Sequence, residues 1–211
     1  AYFYFKKSHI FPRNYKSIDI YFLLKTRLFS FLKIIHFQKS NNYIYIGSNS
    51  LLRYNLLPTI PYKDSAFNSK TKIKLKDNTS RLIYTDIINC GRVARGEKFE
   101  YKYYKSYIEI ESEQDEKIIY LDNTMYKPEE TNMNNFGMFE GYTHFANIII
   151  VNINDYEEKL DEIRKIINES QLDGGASLTQ NNDISIKVFA YNSDKLINLS
   201  NKISDLIIKE I

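Results

Sequence analysis

The chain has 211 residues, 43% of them hydrophobic and 26% charged, which is enough for a real core and too apolar for disorder. Its net charge of +3 hides an asymmetry: residues 1–81 hold 15 Lys and Arg against 3 Asp and Glu, and the remainder reverses that balance. The single cysteine, Cys90, excludes an intramolecular disulfide and a cysteine-based metal cluster, and fits a reducing cytoplasm.

Residues 1–42 are aromatic, basic and without clear periodicity. Their longest apolar runs, 20–24 and 28–32, are cut by Lys25 and Arg27. Neither run is long enough for a membrane helix or a signal peptide. The basic residues stand singly among Phe, Tyr and Ile, with no dense Lys/Arg block of the kind that reads as nucleic-acid binding.

Residues 43–151 read as a strand-rich body. The chain carries 18 Tyr and 13 Phe with no Trp, and such rings pack well on a pleated, half-buried surface. Between Thr71 and Lys76 the pattern alternates, so Thr71, Ile73 and Leu75 should face inward and the lysines outward. The same alternation is read for Phe99, Tyr101 and Tyr103, and for Ile108 and Ile110 against Glu109 and Glu111. Residues 81–89 and 144–151 are longer apolar runs, as expected of strands covered on both faces. Turns are expected at 58–61, 77–78, 122–123 and 134–137. Frequent strands without intervening helices imply a mostly antiparallel or coiled β architecture.

Residues 152–211 read as helix, strand, helix. Asn154 is placed to cap a helix whose stripe is Leu160, Ile163, Ile166 and Ile167. Asp173-Gly174-Gly175 should break the chain before a strand over 184–191. A second stripe, Leu196, Leu199, Ile203, Leu206 and Ile207, follows a cap at Asn192 or Ser193. Both stripes are best read as intramolecular core.

No phosphate loop, helical His pair or nucleophile elbow is present. His9, His36 and His144 are scattered, and each reads best as a structural histidine. Glu140 and His144 lie close in sequence and could touch a metal ion weakly, although the glycines around them equally suit a tight turn. The segment from Gly91 to Glu97 contains Arg92, Arg95, Gly96 and Glu97. It can present a guanidinium to an anion, or close an internal Arg–Glu pair that pins a turn; the internal pair is the simpler account. Asp86 lies inside an apolar run, where a carboxylate needs water, a donor or a cation. Asp122 reads as the opener of a turn with Asn123.

The series Gly91-Arg92-Val93-Ala94-Arg95-Gly96-Glu97, then Tyr120-Leu121-Asp122-Asn123-Thr124, then residues 137–144 (GMFEGYTH), resembles the central block of the UreD (UreH) urease accessory family. Residues 57–65 and the Asp173–Ser177 stretch resemble the family too, so the likeness covers about residues 43–211. The resemblance implies a mainly β fold: a flattened β-helical body of stacked strands, with two helices and a strand at the C-terminal end. It implies a non-catalytic cytoplasmic scaffold for urease maturation, whose partners are apo-urease and UreF-type and UreG-type proteins. No tightly bound cofactor is implied, and neither nucleic acid nor membrane. Nickel would be in transit, with Asp86 and Asp122 as its contacts and Glu140 and His144 as weak ones. Residues 1–42 depart from the family pattern and read as a divergent or misread segment. The alternatives from the residues themselves are an enzyme using Arg92, Arg95 and Glu97 as clamp and acid or base, and a small-molecule- or carbohydrate-binding β module.

Overall fold

In the computed structural model of the chain, residues 16–19 are described in backbone only and residues 37–209 in full. The expectations for His9, His36 and most of the first 42 residues fall outside this range. Ten strands and two helices are described: β1 (Lys16–Asp19), β2 (Phe37–Ile46), β3 (Ser50–Asn55), β4 (Ala66–Leu75), β5 (Ser80–Asn89), β6 (Tyr103–Ser112), β7 (Lys117–Tyr126), β8 (His144–Val151), α1 (Tyr156–Glu169), β9 (Asp173–Leu178), β10 (Ile184–Ala190) and α2 (Ser193–Ile208).

Strands β1 to β6 alternate between two sheets. The first sheet has the order β1-β3-β5-β8-β10-β9, and the second β2-β4-β6-β7. Within each sheet the alternating strands pair in parallel, β1 with β3 and β3 with β5, β2 with β4 and β4 with β6. The chain therefore winds as a flattened coil, and β7 to β10 close it by antiparallel pairing. The body is mainly β and coiled, as the resemblance implies.

Three cores result. One packs α1 and α2 against the outer face of the first sheet, through Leu160, Ile163, Leu199 and Ile203 onto Ile148, Ile150 and Ile186. A second lies between the sheets, where Tyr54, Tyr84, Ile73, Ile108 and Ile149 meet. A third is aromatic, with Tyr101, Tyr104 and Phe139 at its centre. Strands β5 and β8 are buried almost throughout because they contribute to cores on both faces. In β4 the alternation holds: Thr71, Ile73 and Leu75 are buried, while Lys72 and Lys74 point outward to Glu109, Glu111 and Glu113.

Four local expectations are corrected. Asp122 and Asn123 lie within β7, opposite Ile108 and Tyr107 of β6, so they open no turn. The β6–β7 reversal falls instead at 113–116, where Asp115 N–H donates to Ser112 Oγ at 3.2 Å. Phe99 has a positive φ of 55° and Tyr101 precedes β6, so the aromatic alternation there belongs to a loop that fills the third core. The cap of α1 is Asp155 rather than Asn154; its φ of 50° brings the chain in, and its side chain makes no capping bond. Asp173-Gly174-Gly175 is the start of β9 rather than a break. Gly174 has a φ of 154°, and a Cβ there would lie 2.6 Å from Val188 Cα, so only glycine lets β9 close on β10. Asn192 caps α2 as expected, its Oδ1 accepting from Lys195 N–H at 3.0 Å.

Candidate functional site

Alternation along β5 sends Ile83 and Ile87 toward the helices and Leu82, Tyr84 and Asp86 into the space between the sheets. The single carboxylate in the apolar run of β5 is thereby forced inside. Across the gap, β7 brings Asp122, and the two acids line one cavity of about 20 Å³ together with Ser106, Thr124 and Asn147. That volume suits a single water or ion, since a water needs roughly 10–15 Å³.

Asp86 is buried, and its Oδ2 accepts from Tyr104 Oη at 3.3 Å and from Ser106 Oγ at 3.5 Å. Burial pushes its carboxyl up to about 6; the Tyr104 hydrogen bond opposes the rise and the nearby Asp122 charge adds to it. Asp122 is more fully held. Its Oδ1 accepts from Thr124 Oγ1 at 2.6 Å, and its Oδ2 from Tyr120 Oη and Asn147 Nδ2, both at 3.4 Å. Lys187 Nζ lies 3.3 Å from the same Oδ2. Asn147 is the direct partner of Asp86 in the β5–β8 register, and its Oδ1 is buried with no hydrogen-bond partner. Sequence reasoning missed Asn147 and Lys187. The signal for Asn147 was present, as the one amide in the apolar run of β8.

Glu140 and His144 do not join this cavity. The Glu140 carboxylate turns back to accept from Gly137 N–H at 2.8 Å, closing its own turn. His144 is buried, with Nδ1 2.8 Å from Thr143 Oγ1, and burial lowers its pKa. Among the described residues, no group of three or more His, Cys, Asp or Glu is placed to hold a metal ion.

The loop after β5 is a clasp. Arg92 Nε donates to Glu97 Oε2 at 2.8 Å and its Nη2 to Oε1, while Lys63 N–H donates to Oε2 at 3.2 Å. The Arg92 guanidinium also stacks on Tyr62, 4.8 Å from the ring centroid. Arg95 lies exposed in the intervening turn, and Gly96 ends that turn at a φ of 79°. The internal Arg–Glu pair is therefore the arrangement found, and it occupies the fork that a substrate clamp would use. On the outer face of the second sheet a wider concavity of about 360 Å³ is lined by Lys39, Lys70 and Lys105 with Tyr43 and Tyr107.

A family profile described as UreD urease accessory protein matches residues 36–211. The chain belongs to the UreD family of urease accessory proteins. It is 38% identical over 172 residues to the urease accessory protein UreH of Helicobacter pylori strain J99, covering 81% of this chain and 63% of that protein. It is 35% identical over 154 residues to UreH of Helicobacter hepaticus, covering 73% of this chain and 58% of the relative. With the urease accessory protein UreD of Acetivibrio thermocellus the identity is 29% over 163 residues, 77% and 61% of the two chains. The chain thus spans less than two thirds of the length of these curated relatives. Among the described residues, no helix is long and apolar enough to cross a membrane.

Proposed function

We propose that this chain is a non-catalytic scaffold for urease maturation, through which nickel passes on its way to apo-urease. The observation that carries this reading is the pairing of Asp86 and Asp122 across one inter-sheet cavity in a UreD-family chain. Two carboxylates attract Ni²⁺, and without histidine or thiolate beside them they gather too few strong ligands to trap it. The ion is cargo here, and no cofactor is held tightly. The partners in this reading are apo-urease and UreF-type and UreG-type accessory proteins, and the setting is the cytoplasm.

Co-expression with apo-urease and the other accessory proteins tests it. The chain should be retained by an affinity-tagged UreF-type partner together with apo-urease; retention of neither removes the scaffold role. Asp86→Ala combined with Asp122→Ala should lower the nickel content of urease while the assembly still forms. A normal nickel content in that variant removes the passage.

The basic concavity on the second sheet favours a second reading, a small-molecule-binding β module for an anionic ligand. A thermal-shift series with acidic saccharides separates the two. A shift abolished by Lys70→Gln would support the module, and no shift would leave the scaffold alone.

A further inference from the structure

On the face of the first sheet that looks at the second, Asp86, Asn147, Lys187 and Gly175 stand in one row across β5, β8, β10 and β9. The row runs from buried to open. Asp86 and Asn147 are buried, the Lys187 side chain is 54% exposed, and a Cβ added at Gly175 would meet nothing within 4 Å. From the second sheet Asp122 reaches the same row, touching Asn147 Nδ2 and Lys187 Nζ with one oxygen. Asn147 thus turns its amide nitrogen to Asp122 and leaves Oδ1 at 93% burial of the residue with no donor. An orphaned carbonyl oxygen of this kind gives up its hydration for nothing unless a water or a cation meets it.

We propose that Lys187 is a resident counter-cation of Asp122: its ammonium holds that carboxylate until a divalent cation displaces it, and Asn147 Oδ1 then joins Asp86 and Asp122 around that cation. This deepens the nickel-passage reading and rests on it. An ammonium and a metal ion drawn to the same carboxylate oxygen repel each other, so arrival of the ion favours departure of the lysine. The lysine can leave without backbone movement, because its stem is flexible, its outer side is in solvent and the neighbouring position is a glycine. Once displaced, the ammonium stays tethered nearby and lowers the affinity of the site by repulsion, so the ion is released rather than stored. The three oxygens leave the remaining coordination to water, which suits a site of passage.

Calorimetric titration of Ni²⁺ into the purified chain, with Asp122→Asn as the control for ions bound elsewhere on the surface, reads this directly. Lys187→Met should tighten Ni²⁺ binding about five- to tenfold by removing the competitor. Lys187→Arg, which can hold Asp122 through two parallel donors, should weaken it. Adding Asn147→Ala to Lys187→Met should erase most of the gain. Thermal melts of each variant establish that the fold is intact, and Lys187→Gln serves as a second neutral replacement. Unchanged Ni²⁺ affinity in both neutral variants, an equal gain from Lys187→Met when Asp122→Asn is also present, or no binding at all in Lys187→Met would overturn the gate. The passage reading is judged separately, by the nickel content of urease matured with the Asp86 and Asp122 double variant.

Discussion

Ile148 and Ile149 are neighbours in sequence and both fully buried, yet they belong to different cores: Ile148 packs under the helices and Ile149 between the two sheets. Strand β8 is therefore the wall shared by two packed layers. Each of Ile148→Ala and Ile149→Ala should cost about 2–4 kcal/mol, the usual range for truncating a buried isoleucine. Chemical denaturation of both variants checks this. A cost confined to Ile148 would mean that the space between the sheets is not a true core.

Asp86 makes stability depend on pH in a definite direction. Its carboxyl is raised to about 6 by burial, so the folded protein binds the proton more tightly than the unfolded chain. Its favourable contribution is complete below the ordinary carboxylate pKa and is lost as pH rises through about 6. At neutral pH the buried charge is unfavourable by about 1–3 kcal/mol, on the scale of roughly 1.4 kcal/mol per pKa unit. Asp86→Asn should therefore stabilise the fold by about that amount at pH 7.5, with the advantage vanishing near pH 4. Burial also raises Asp183 to about 6, but it titrates equally in both proteins, so the difference between their melts isolates Asp86. The same gain at both pH values would contradict the burial argument.

Gly174 is held where β9 crosses the backbone of β10. Gly174→Ala adds a methyl against Val188 and the Lys187 carbonyl, in a conformation that L-residues avoid. The expected loss is about 2–4 kcal/mol, with early hydrogen exchange at the β9 amides. Exchange that stays slow in β9 would show that the sheet edge can yield.

Cys90 lies buried at the end of β5, and burial pushes its thiol up to about 11. Thiolate is then scarce at neutral pH, so a disulfide reagent should label the native protein at least roughly a hundredfold more slowly than the unfolded chain. Rapid native labelling would imply that the clasp loop opens often.

Much of the body was legible in one sequence because its signals are local. The apolar runs of β5 and β8, the alternation of β4 and the Asn192 cap each depend on neighbouring residues. Asp86 stood out for the same reason, as one carboxylate among isoleucines. Asp122 was misplaced because Asp-Asn favours turns in isolation, whereas pairing with β6 and the hydroxyl of Thr124 hold it in a strand. Asn147 and Lys187 were missed because their meaning comes from register between distant strands, which no local pattern encodes. Function was legible only through the motif series. Alternation and capping carry no word about urease.

The Arg92–Glu97 clasp has a consequence for assembly. Because successive strands lie in opposite sheets, the chain between β5 and β6 is the connection that sets Ser106 and Tyr104 against Asp86. Gly91 folds so tightly there that a Cβ would come within 2.8 Å of the Glu97 carbonyl oxygen. The clasp thus acts as a ruler. It takes up a fixed length of chain, and one residue more or fewer would turn the inward face of β6, with Tyr104 and Ser106, away from Asp86.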